Sequence, residues 1–293
     1  GDVLRLALSQ LVDQERIDAF AIFDADNVAA PSFLRALNNA LAQGYAIVQG
    51  RRRGKNTQDN AITGVYELYY MMQNVFYNHP RALAGQSAAL NGTGWAMTRQ
   101  WVVENGFPMV TITEDFELTA VAALNGTRIA YVNDAVTYDE YPDSLDKVLR
   151  QLPRWIFGQV QCMRFYSGKC LRRGFRDRAC MDMGLLLLQP ALCFLLCVIP
   201  ILAALGCGTP HFRLGLRRLL PMLLGLLYFC MVTVACLEIR KSGENIGAFL
   251  GSILLFPVFL GAWIPLSAAS VWKRKCQWRP VLHERVISIE ELL

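Results

Sequence analysis

The sequence predicts an α/β domain with a mostly parallel, Rossmann-like sheet, followed by an all-α transmembrane region. Candidate strands alternate with candidate helices up to about residue 145, and long charge-free apolar runs follow residue 182. An alternation of strands and helices is typical of parallel sheets that are covered by helices. Runs of about 20 apolar residues are long enough to cross a bilayer. The 293 residues are therefore expected to form two unlike halves.

The first half contains three candidate strands that alternate with candidate helices. The strands are predicted at residues 18–24, 46–50 and 129–132. The helices are predicted at residues 32–42, 64–76 and 116–124. In such a fold, ligands bind at the carboxyl ends of the strands, so the residues that follow each strand are the first to consider.

The second half contains three apolar runs without a charged residue, at 183–206, 219–237 and 246–272. They predict about three transmembrane helices within residues 183–272, because prolines are tolerated in membrane helices. Three crossings would place the basic tail, residues 273–293, on the opposite side from the first half, whereas basic segments prefer the cytoplasmic side. Either one run is interfacial or re-entrant, or the third run breaks near Pro257.

Charge and cysteine content exclude two other classes of protein. The net charge is +5 and the basic residues form no single long cluster, so no nucleic-acid partner is expected. All nine cysteines lie from Cys162 onward and none forms a CxxC pair, which argues against a disulfide scaffold. The sequence gives no indication of the oligomeric state.

Two aspartates follow the first predicted strand in the tripeptide Asp24-Ala25-Asp26. Two carboxylates one residue apart in a turn can approach one divalent cation from the same side. Mg²⁺ prefers oxygen ligands and readily adds substrate phosphates. The alternative interpretation is a solvated acidic turn.

A second acidic motif, Thr113-Glu114-Asp115, precedes the predicted helix at 116–124. Asp115 could act as a general base that takes a proton from an attacking hydroxyl. Alternatively, Thr113 is the helix N-cap and the acids favour the positive end of the helix dipole. The motif alone leaves both interpretations open.

A third motif, Gln151-Leu-Pro-Arg154-Trp155, lies in a predicted amphipathic helix within residues 146–182. Gln151, Arg154 and Trp155 are spaced i, i+3 and i+4 and therefore share one face. Arginine can grip a diphosphate with its planar fork, and tryptophan offers a flat face to a sugar ring. The alternative is an interfacial helix with its Trp and Arg among lipid headgroups.

The order of the three motifs, followed by apolar helices, resembles that of the processive-type family 2 glycosyltransferases, which include cellulose, chitin, hyaluronan and poly-N-acetylglucosamine synthases. The resemblance extends from residue 1 to at least residue 158, and the turn at 90–95 resembles the family's acceptor-side turn. It implies a GT-A-like catalytic domain over residues 1–145. The family's first strand and acidic motif, which hold the nucleotide base, are not matched, so the chain is expected to be N-terminally truncated.

The resemblance also implies roles for individual residues. Asp26 and Asp24 would hold Mg²⁺ or Mn²⁺, and Asp115 would be the general base. The donor would contact Asp24, Gln151 and Arg154, and the acceptor would contact Trp155, Glu114 and Gly94. The basic residues after the second strand could add phosphate contacts, but a solvated basic loop is the favoured interpretation: Arg51, Arg52, Arg53 and Lys55.

By the same resemblance, the protein is expected to transfer a sugar, with inversion, from a nucleotide diphosphate sugar to a growing polysaccharide. It would be a multi-pass protein of the cell membrane with its catalytic half in the cytoplasm. Transfer of one sugar to a lipid acceptor, a catalytically dead fragment without the nucleotide-base pocket, and a transport or scaffold protein are the alternatives.

Overall fold

The computed structural model of the chain describes residues 2–107, 109–206, 209–273, 276 and 289–292. In this part of the chain, five strands form one sheet: β1 (Ala19–Ile22), β2 (Val28–Ala29), β3 (Ile47–Gly54), β4 (Trp95–Thr98) and β5 (Ile129–Asp139). The helices of the α/β half are α1 (Asp2–Leu11), α2 (Phe33–Ala42), α3 (Ala61–Met72) with a π-helical continuation (Gln73–Asn78), α4 (His79–Leu83), α5 (Arg99–Asn105) and α6 (Glu114–Leu124). The helices that follow are α7 (Leu145–Gly174), α8 (Arg178–Leu187), α9 (Gln189–Ala204), α10 (Pro210–Lys241), α11 (Leu250–Ser270) and a 3₁₀ turn (Ile289–Glu291).

The sheet has the strand order β1-β4-β3-β5-β2 and is mixed. Only β3 and β5 pair in parallel, whereas β1 with β4, β4 with β3, and β5 with β2 are antiparallel. The prediction of a mostly parallel sheet is therefore wrong. The three strands predicted from the sequence do run in one direction, and the error comes from the two strands that were not predicted. Both are short, and β4 enters between β1 and β3 in the opposite direction.

The two faces of the sheet are covered by different helices because successive side chains of a strand point to opposite sides. Val48 and Ala96 pack with Phe33 and Leu37 of α2. On the other face, Ile47, Trp95, Met97 and Ile129 pack with residues of α1, α5 and α6, including Leu8, Trp101 and Leu118.

The apolar runs of the second half are helical. Helices α10 and α11 are long and apolar enough to cross a membrane, and α8 with α9 form a pair bent by 41° that also qualifies if taken as one span. These are candidate spans by length and composition. Helix α11 is continuous through Pro257 and Pro265, so the predicted break near Pro257 is not observed. The predicted basic tail, residues 273–293, lies outside the described part of the chain except for residues 273, 276 and 289–292.

Helix α11 contacts α3 and α7 at three points. At its beginning, Ser252 packs so closely on Gly64 of α3 that a Cβ at Gly64 would lie 2.1 Å from the serine hydroxyl. Further along, Trp263 stacks on Tyr69 of α3. Just beyond its end, the backbone carbonyl of Val271 accepts a hydrogen bond from an Arg164 side chain of α7. Helix α11 therefore packs on α3 at its beginning and middle and on α7 just beyond its end.

Candidate active site

The turn after β1 is held in place by the side chain of Asn27. Its Oδ1 accepts hydrogen bonds from the backbone N–H of Asp24 (2.8 Å) and from Thr93 Oγ1 (2.7 Å). Its Nδ2 donates to Asp139 Oδ1 (3.1 Å) at the end of β5. One amide side chain thus connects the turn that carries Asp24 and Asp26 to the glycine-rich turn before β4 and to β5.

Asp24 experiences charges from three segments of the chain. Its position in the cavity wall limits hydration and raises its pKa, an effect that Arg52 opposes and that the Asp26 and Glu114 carboxylates reinforce. Arg154 lowers the pKa of Asp24. Three segments therefore meet at one place: the turn after β1, the start of α6 and helix α7. The sequence predicted that Asp24, Glu114 and Arg154, one from each segment, belong to the same site.

Arg52 of β3 lies beneath this turn in a buried ion pair with Asp139. Its Nε donates to Asp139 Oδ2, and its Nη1 donates to the backbone carbonyl of Asn91 at 2.7 Å. The guanidinium carbon also lies 4.1 Å from the centroid of the Tyr70 ring. Burial lowers the pKa of Arg52, but Asp139, Tyr70, Tyr141 and Asp24 together raise it by more, so the guanidinium stays charged.

The interpretation of this segment as a solvated basic loop is wrong. Its arginines belong to β3, and the side chain of Arg52 is only 11% exposed. Arg53 Nε donates to Glu67 Oε1 at 3.1 Å, and Lys55 Nζ donates to the backbone carbonyl of Asp26 at 2.8 Å. Arg52, Arg53 and Lys55 are held by partners at least 14 residues away in sequence, which is why the local sequence gave no indication of their burial. The affected residues are Arg51, Arg52, Arg53 and Lys55.

The second motif lies where α6 begins, and α7 packs closely upon it. Thr113 occupies the N-cap position, but its side chain makes no capping hydrogen bond. A Cβ at Gly158 of α7 would lie 2.3 Å from the Thr113 side chain, so only glycine permits this approach. Glu117 accepts hydrogen bonds from the backbone N–H groups of Val110 and Thr111 and fixes the loop before the motif.

Asp115 is the side chain with the properties of a base in this motif. Burial raises its pKa to about 6, and the neighbouring Glu114 carboxylate contributes in the same direction. A hydrogen bond from the backbone of Phe116 and the charges of Arg154 and Arg52 oppose the rise. At neutral pH the carboxylate is ionised yet is a stronger base than an exposed aspartate, a balance that suits proton transfer.

The three motifs converge on one cavity of about 490 Å³. Six of the predicted site residues line it: Asp24, Glu114, Asp115, Gln151, Arg154 and Trp155. The last three are contributed by α7, which is helical over Leu145–Gly174 as the spacing of the third motif predicted. Asp26 is not part of the cavity wall but lies close enough to affect the pKa of Asp24 and Asp139.

The glycine-rich turn contributes a different glycine from the one predicted. Gly92 lines the cavity with φ +86°, and a Cβ there would lie 3.3 Å from Arg52 Nη1 and 3.8 Å from Asp115 Oδ2. Gly94, predicted to contact the acceptor, is buried outside the cavity wall. A Cβ at Gly94 would lie 2.4 Å from the Thr137 side chain, so this glycine allows the turn to pack on β5.

Sequence reasoning missed several residues of the cavity wall, among them Tyr69, Tyr70, Asn91, Gln159 and Trp263. Gln159 lies one helical turn after Trp155 on the same face of α7, so the helical periodicity could have indicated it. Trp263 lies in an apolar run in which nothing distinguishes it from a residue that faces lipid.

The residues present fit a divalent cation only if the substrate completes its coordination. No group of three or more His, Cys, Asp or Glu side chains with metal-binding geometry occurs among the described residues. The Asp24 and Asp26 carboxylates nevertheless raise the local negative charge, which a cation would neutralise. Mg²⁺ is usually held by one or two carboxylates together with substrate phosphates, which matches this donor set.

Comparisons with known proteins agree with the motifs. The family model described as Glycosyltransferase like family 2 matches residues 2–158. The chain is 27% identical over 161 residues to glucomannan 4-beta-mannosyltransferase 7 of Arabidopsis thaliana, an alignment that covers 54% of this chain and 29% of the relative. It is 28% identical over 161 residues to the probable glucomannan 4-beta-mannosyltransferase 14 of the same plant, which covers 52% of this chain and 29% of the relative.

A solved structure is similar over a longer stretch at lower identity. The mannosyltransferase PcManGT from Pyrobaculum calidifontis, in complex with GDP-Man and Mn²⁺, matches 92% of this chain and 67% of its own, with a TM-score of 0.45 and 15% identity. The match to each plant relative thus covers only 29% of the length of that relative.

Proposed function

This chain belongs to the family Glycosyltransferase like family 2, and we propose that the intact protein is an inverting glycosyltransferase that extends a polysaccharide. The observation that carries the proposal is the convergence of Asp24, Asp115 and Arg154 from three distant segments on one cavity. In this proposal, residues 1–145 form the catalytic domain, 146–182 form the interfacial segment, 183–272 form the membrane region and 273–293 form the tail.

Each of the side chains in the cavity has a separate role in the reaction. Asp115, with a pKa of about 6, takes the proton from the acceptor hydroxyl as its oxygen attacks the anomeric carbon. A single direct displacement inverts the configuration of that carbon. Arg154 and Gln151 hold the diphosphate that leaves, since a guanidinium matches two phosphate oxygens at once. Trp155 supports the acceptor sugar.

A metal ion would bind at Asp24 and Asp26. When bound, Mg²⁺ or Mn²⁺ supplies positive charge that stabilises the leaving diphosphate. The protein side of this site is the turn that Asn27 fixes between β1 and β5. The names of the plant relatives make a mannosyl group the first candidate for the transferred sugar.

We expect the intact protein in membranes to release nucleotide from one member of a donor panel and to form a product that elongates with time. The panel comprises GDP-mannose, UDP-glucose and UDP-N-acetylglucosamine, with Mg²⁺, Mn²⁺ or EDTA. Asp26→Asn should remove the metal-dependent turnover, whereas Asp134→Asn, a control on an exposed part of β5, should not. Turnover that is unaffected by both EDTA and Asp26→Asn contradicts the metal assignment, and no turnover with any donor contradicts the proposed function.

A specific observation also favours a second candidate, the transfer of one sugar to a lipid acceptor. A largely apolar groove of about 500 Å³ between α3 and helices α10 and α11 shares Tyr69, Gln73, Tyr77 and Leu260 with the catalytic cavity. A hydrocarbon chain in this groove would have its head group beside Asp115. In the donor assay, a product that partitions into organic solvent and does not elongate identifies this alternative.

For the membrane arrangement, we propose two crossings, by the α8–α9 pair and by α10, with α11 lying along the α/β half. The loop before α11 contacts that half, since Glu244 accepts hydrogen bonds from Arg53 (3.3 Å) and Gln58 (3.0 Å). The hydrogen bond from Arg164 of α7 to the Val271 carbonyl supports putting the other end of α11 on the same side. The catalytic half would face the cytoplasm, where nucleotide sugars are found, and the basic residues after α11 would satisfy the positive-inside preference.

Cysteine reporters distinguish this arrangement from three crossings. In a variant without native cysteines, Ser242→Cys and Lys273→Cys should react with a membrane-impermeant maleimide from the same side as Asp146→Cys. Leu223→Cys, in the apolar middle of α10, should stay unlabelled. Labelling of residue 273 from the opposite side would contradict the assignment of α11 and support three crossings.

A further inference from the structure

A second cavity, of about 1130 Å³, lies between the turn after α6 and the turn that joins α7 to α8. It shares no described lining residue with the catalytic cavity. Among its described lining residues, Asp177 is the one acid against six cations: Arg128, Lys169, Arg172, Arg173, Arg176 and Arg178. The cavity is therefore a strongly positive site that the proposed reaction does not use.

Contacts between α6 and the α7–α8 hairpin hold the two sides of this basic cavity together. A Cβ at Gly126, in the turn after α6, would lie 3.8 Å from Arg173 Nη2. The Cys180 thiol of α8 donates a hydrogen bond to the backbone carbonyl of Ala123, near the end of α6, at 3.1 Å. Because the two turns are far apart in sequence, the cations of the cavity wall are brought together by the fold.

Most of the positive charge of the basic cavity is not neutralised by the protein. The Asp177 carboxylate caps α8 by accepting hydrogen bonds from the backbone N–H groups of Ala179 and Cys180, and it lies 4.0 Å from Arg173 Nε. Arg178 is the first residue of α8, where the helix dipole is already positive and a second positive charge is unfavourable. Four of the cations form no ion pair with any described residue: Arg128, Arg172, Arg176 and Arg178.

The position of Phe175 indicates the kind of anion that the basic cavity takes. Phe175 belongs to the cavity wall and is 85% exposed, so its ring is left in water among the cations. Helix α8 begins the bent α8–α9 pair that qualifies as one membrane span. The charge-free apolar run begins at Met183, about 7.5 Å along the helix from Arg178. A soluble anion would pair with the cations but leave Phe175 exposed, whereas a phospholipid offers phosphate to the arginines and apolar groups to the ring.

We propose that the basic cavity binds the headgroups of anionic phospholipids. The arginines of the α7–α8 turn would hold the lipid phosphates, and Phe175 would pack among the glycerol and acyl groups. The proposal uses the crossing by α8 and α9 proposed above, but it does not depend on sugar transfer. A bound headgroup would connect the end of α6 to the α7–α8 hairpin and so stabilise the fold.

The test measures melting of the intact, delipidated protein in a non-ionic detergent with increasing mole fractions of dioleoyl-phosphatidylglycerol or dioleoyl-phosphatidylcholine. A ligand that binds only the folded protein stabilises it, so the glycerol lipid should raise the Tm and the choline lipid should not. The double variant Arg172→Gln with Arg176→Gln should raise the half-saturating fraction of phosphatidylglycerol by about 10- to 30-fold, since each cation near a headgroup contributes about 5-fold.

The matched control is the double variant Arg217→Gln with Arg218→Gln, which removes the same charge from exposed positions of α10 outside the basic cavity. Its half-saturating fraction of phosphatidylglycerol should equal that of the wild type. Equal half-saturating fractions in the two double variants would mean that any basic residue near lipid has this effect, and they would overturn the proposal.

Phe175→Ala separates a lipid from a soluble anion because it keeps every cation and removes only the apolar contact. It should raise the half-saturating fraction of phosphatidylglycerol by about 5- to 10-fold, with an unchanged Tm in the absence of lipid. Lipid binding equal to that of the wild type would overturn the assignment of a lipid.

Inorganic pyrophosphate in EDTA is the soluble probe of the basic cavity. It should stabilise the protein little. Stabilisation by pyrophosphate that is lost in Arg172→Gln with Arg176→Gln, together with none by the lipid, would identify a soluble anion and overturn the proposal. Since every readout is binding, a protein that transfers no sugar still tests the basic cavity, and a lipid that does not bind leaves the proposed function untouched.

Discussion

Asp115→Asn in the intact protein is expected to lower the rate of sugar transfer by about 10²- to 10⁴-fold, because an amide cannot accept the proton of the acceptor hydroxyl. Donor affinity should stay near that of the wild type. The melting temperature should be equal or higher. The pKa of Asp115 is about 6 in the folded protein against an ordinary value of 3.8, so its ionisation between those pH values destabilises the fold, and the neutral amide removes this penalty.

The competing interpretation of Asp115 as an acid at a helix N-terminus makes a different prediction. It expects a loss of roughly 0.3–1 kcal/mol of stability and little change in rate. Asp146→Asn is a matched control, since Asp146 is an acid in the first turn of α7 and its side chain is 69% exposed. An Asp115→Asn variant that behaves like Asp146→Asn in both melting and turnover would return Asp115 to a structural role.

The pH dependence provides a second test of the same base. Transfer should increase with pH up to about 6, where Asp115 becomes ionised, and then level off. The Glu114 carboxylate raises the pKa of Asp115 and Arg154 lowers it. Glu114→Gln should therefore shift the pH at which the rate is half-maximal to lower pH, and Arg154→Gln should shift it to higher pH. Both shifts are expected independently of any change in the maximal rate. If the pH of half-maximal rate is the same in both variants as in the wild type, the assignment of Asp115 as the base is contradicted.

Much of this site could be predicted from the sequence because each motif is local. The carboxylates of Asp24 and Asp115 and the shared face of Gln151, Arg154 and Trp155 depend only on nearby spacing. The match of the family model to residues 2–158 confirms the resemblance to family 2 glycosyltransferases. It also confirms the GT-A-like fold, with a mixed sheet in place of the parallel one that was predicted.

The remaining features depend on contacts between residues far apart in the chain. Strand β4 has four residues, and its place between β1 and β3 is fixed by pairing that no local pattern encodes. Arg52 looks like a member of a basic loop until its partner, 87 residues away, is known. Trp263 likewise becomes a site residue only when α11 folds back on α3 and α7.

The second large effect, on stability, is expected when Arg52 is replaced. Its guanidinium joins Asp139, the carbonyl of Asn91 and the Tyr70 ring, so one side chain links β3, β5, α3 and the glycine-rich turn. The pKa of Asp139 is raised to about 7, because the effect of burial exceeds the lowering by Arg52. Without Arg52, the Asp139 carboxylate must either ionise in a buried place without a cation or take up a proton.

We therefore expect Arg52→Met to destabilise the protein by about 3–5 kcal/mol, the usual cost of removing one partner of a buried ion pair. Melting in detergent should fall by roughly 10 °C. Arg150→Met is the control, because its partner Asp146 is exposed and such pairs contribute about 0–1 kcal/mol. The penalty should shrink as the pH falls from 8 to 6, since Asp139 is then protonated and no longer an unpaired charge.

The double variant Arg52→Met with Asp139→Leu separates stability from function. Replacing a buried ion pair by apolar residues of similar volume is often neutral for stability, so melting should recover most of the loss. Activity should not recover, because Arg52 lines the cavity and Asp139 holds Asn27, which fixes the turn of Asp24. If transfer returned together with stability, the pair would serve only the fold, and the position of the Asp24 turn would not depend on it.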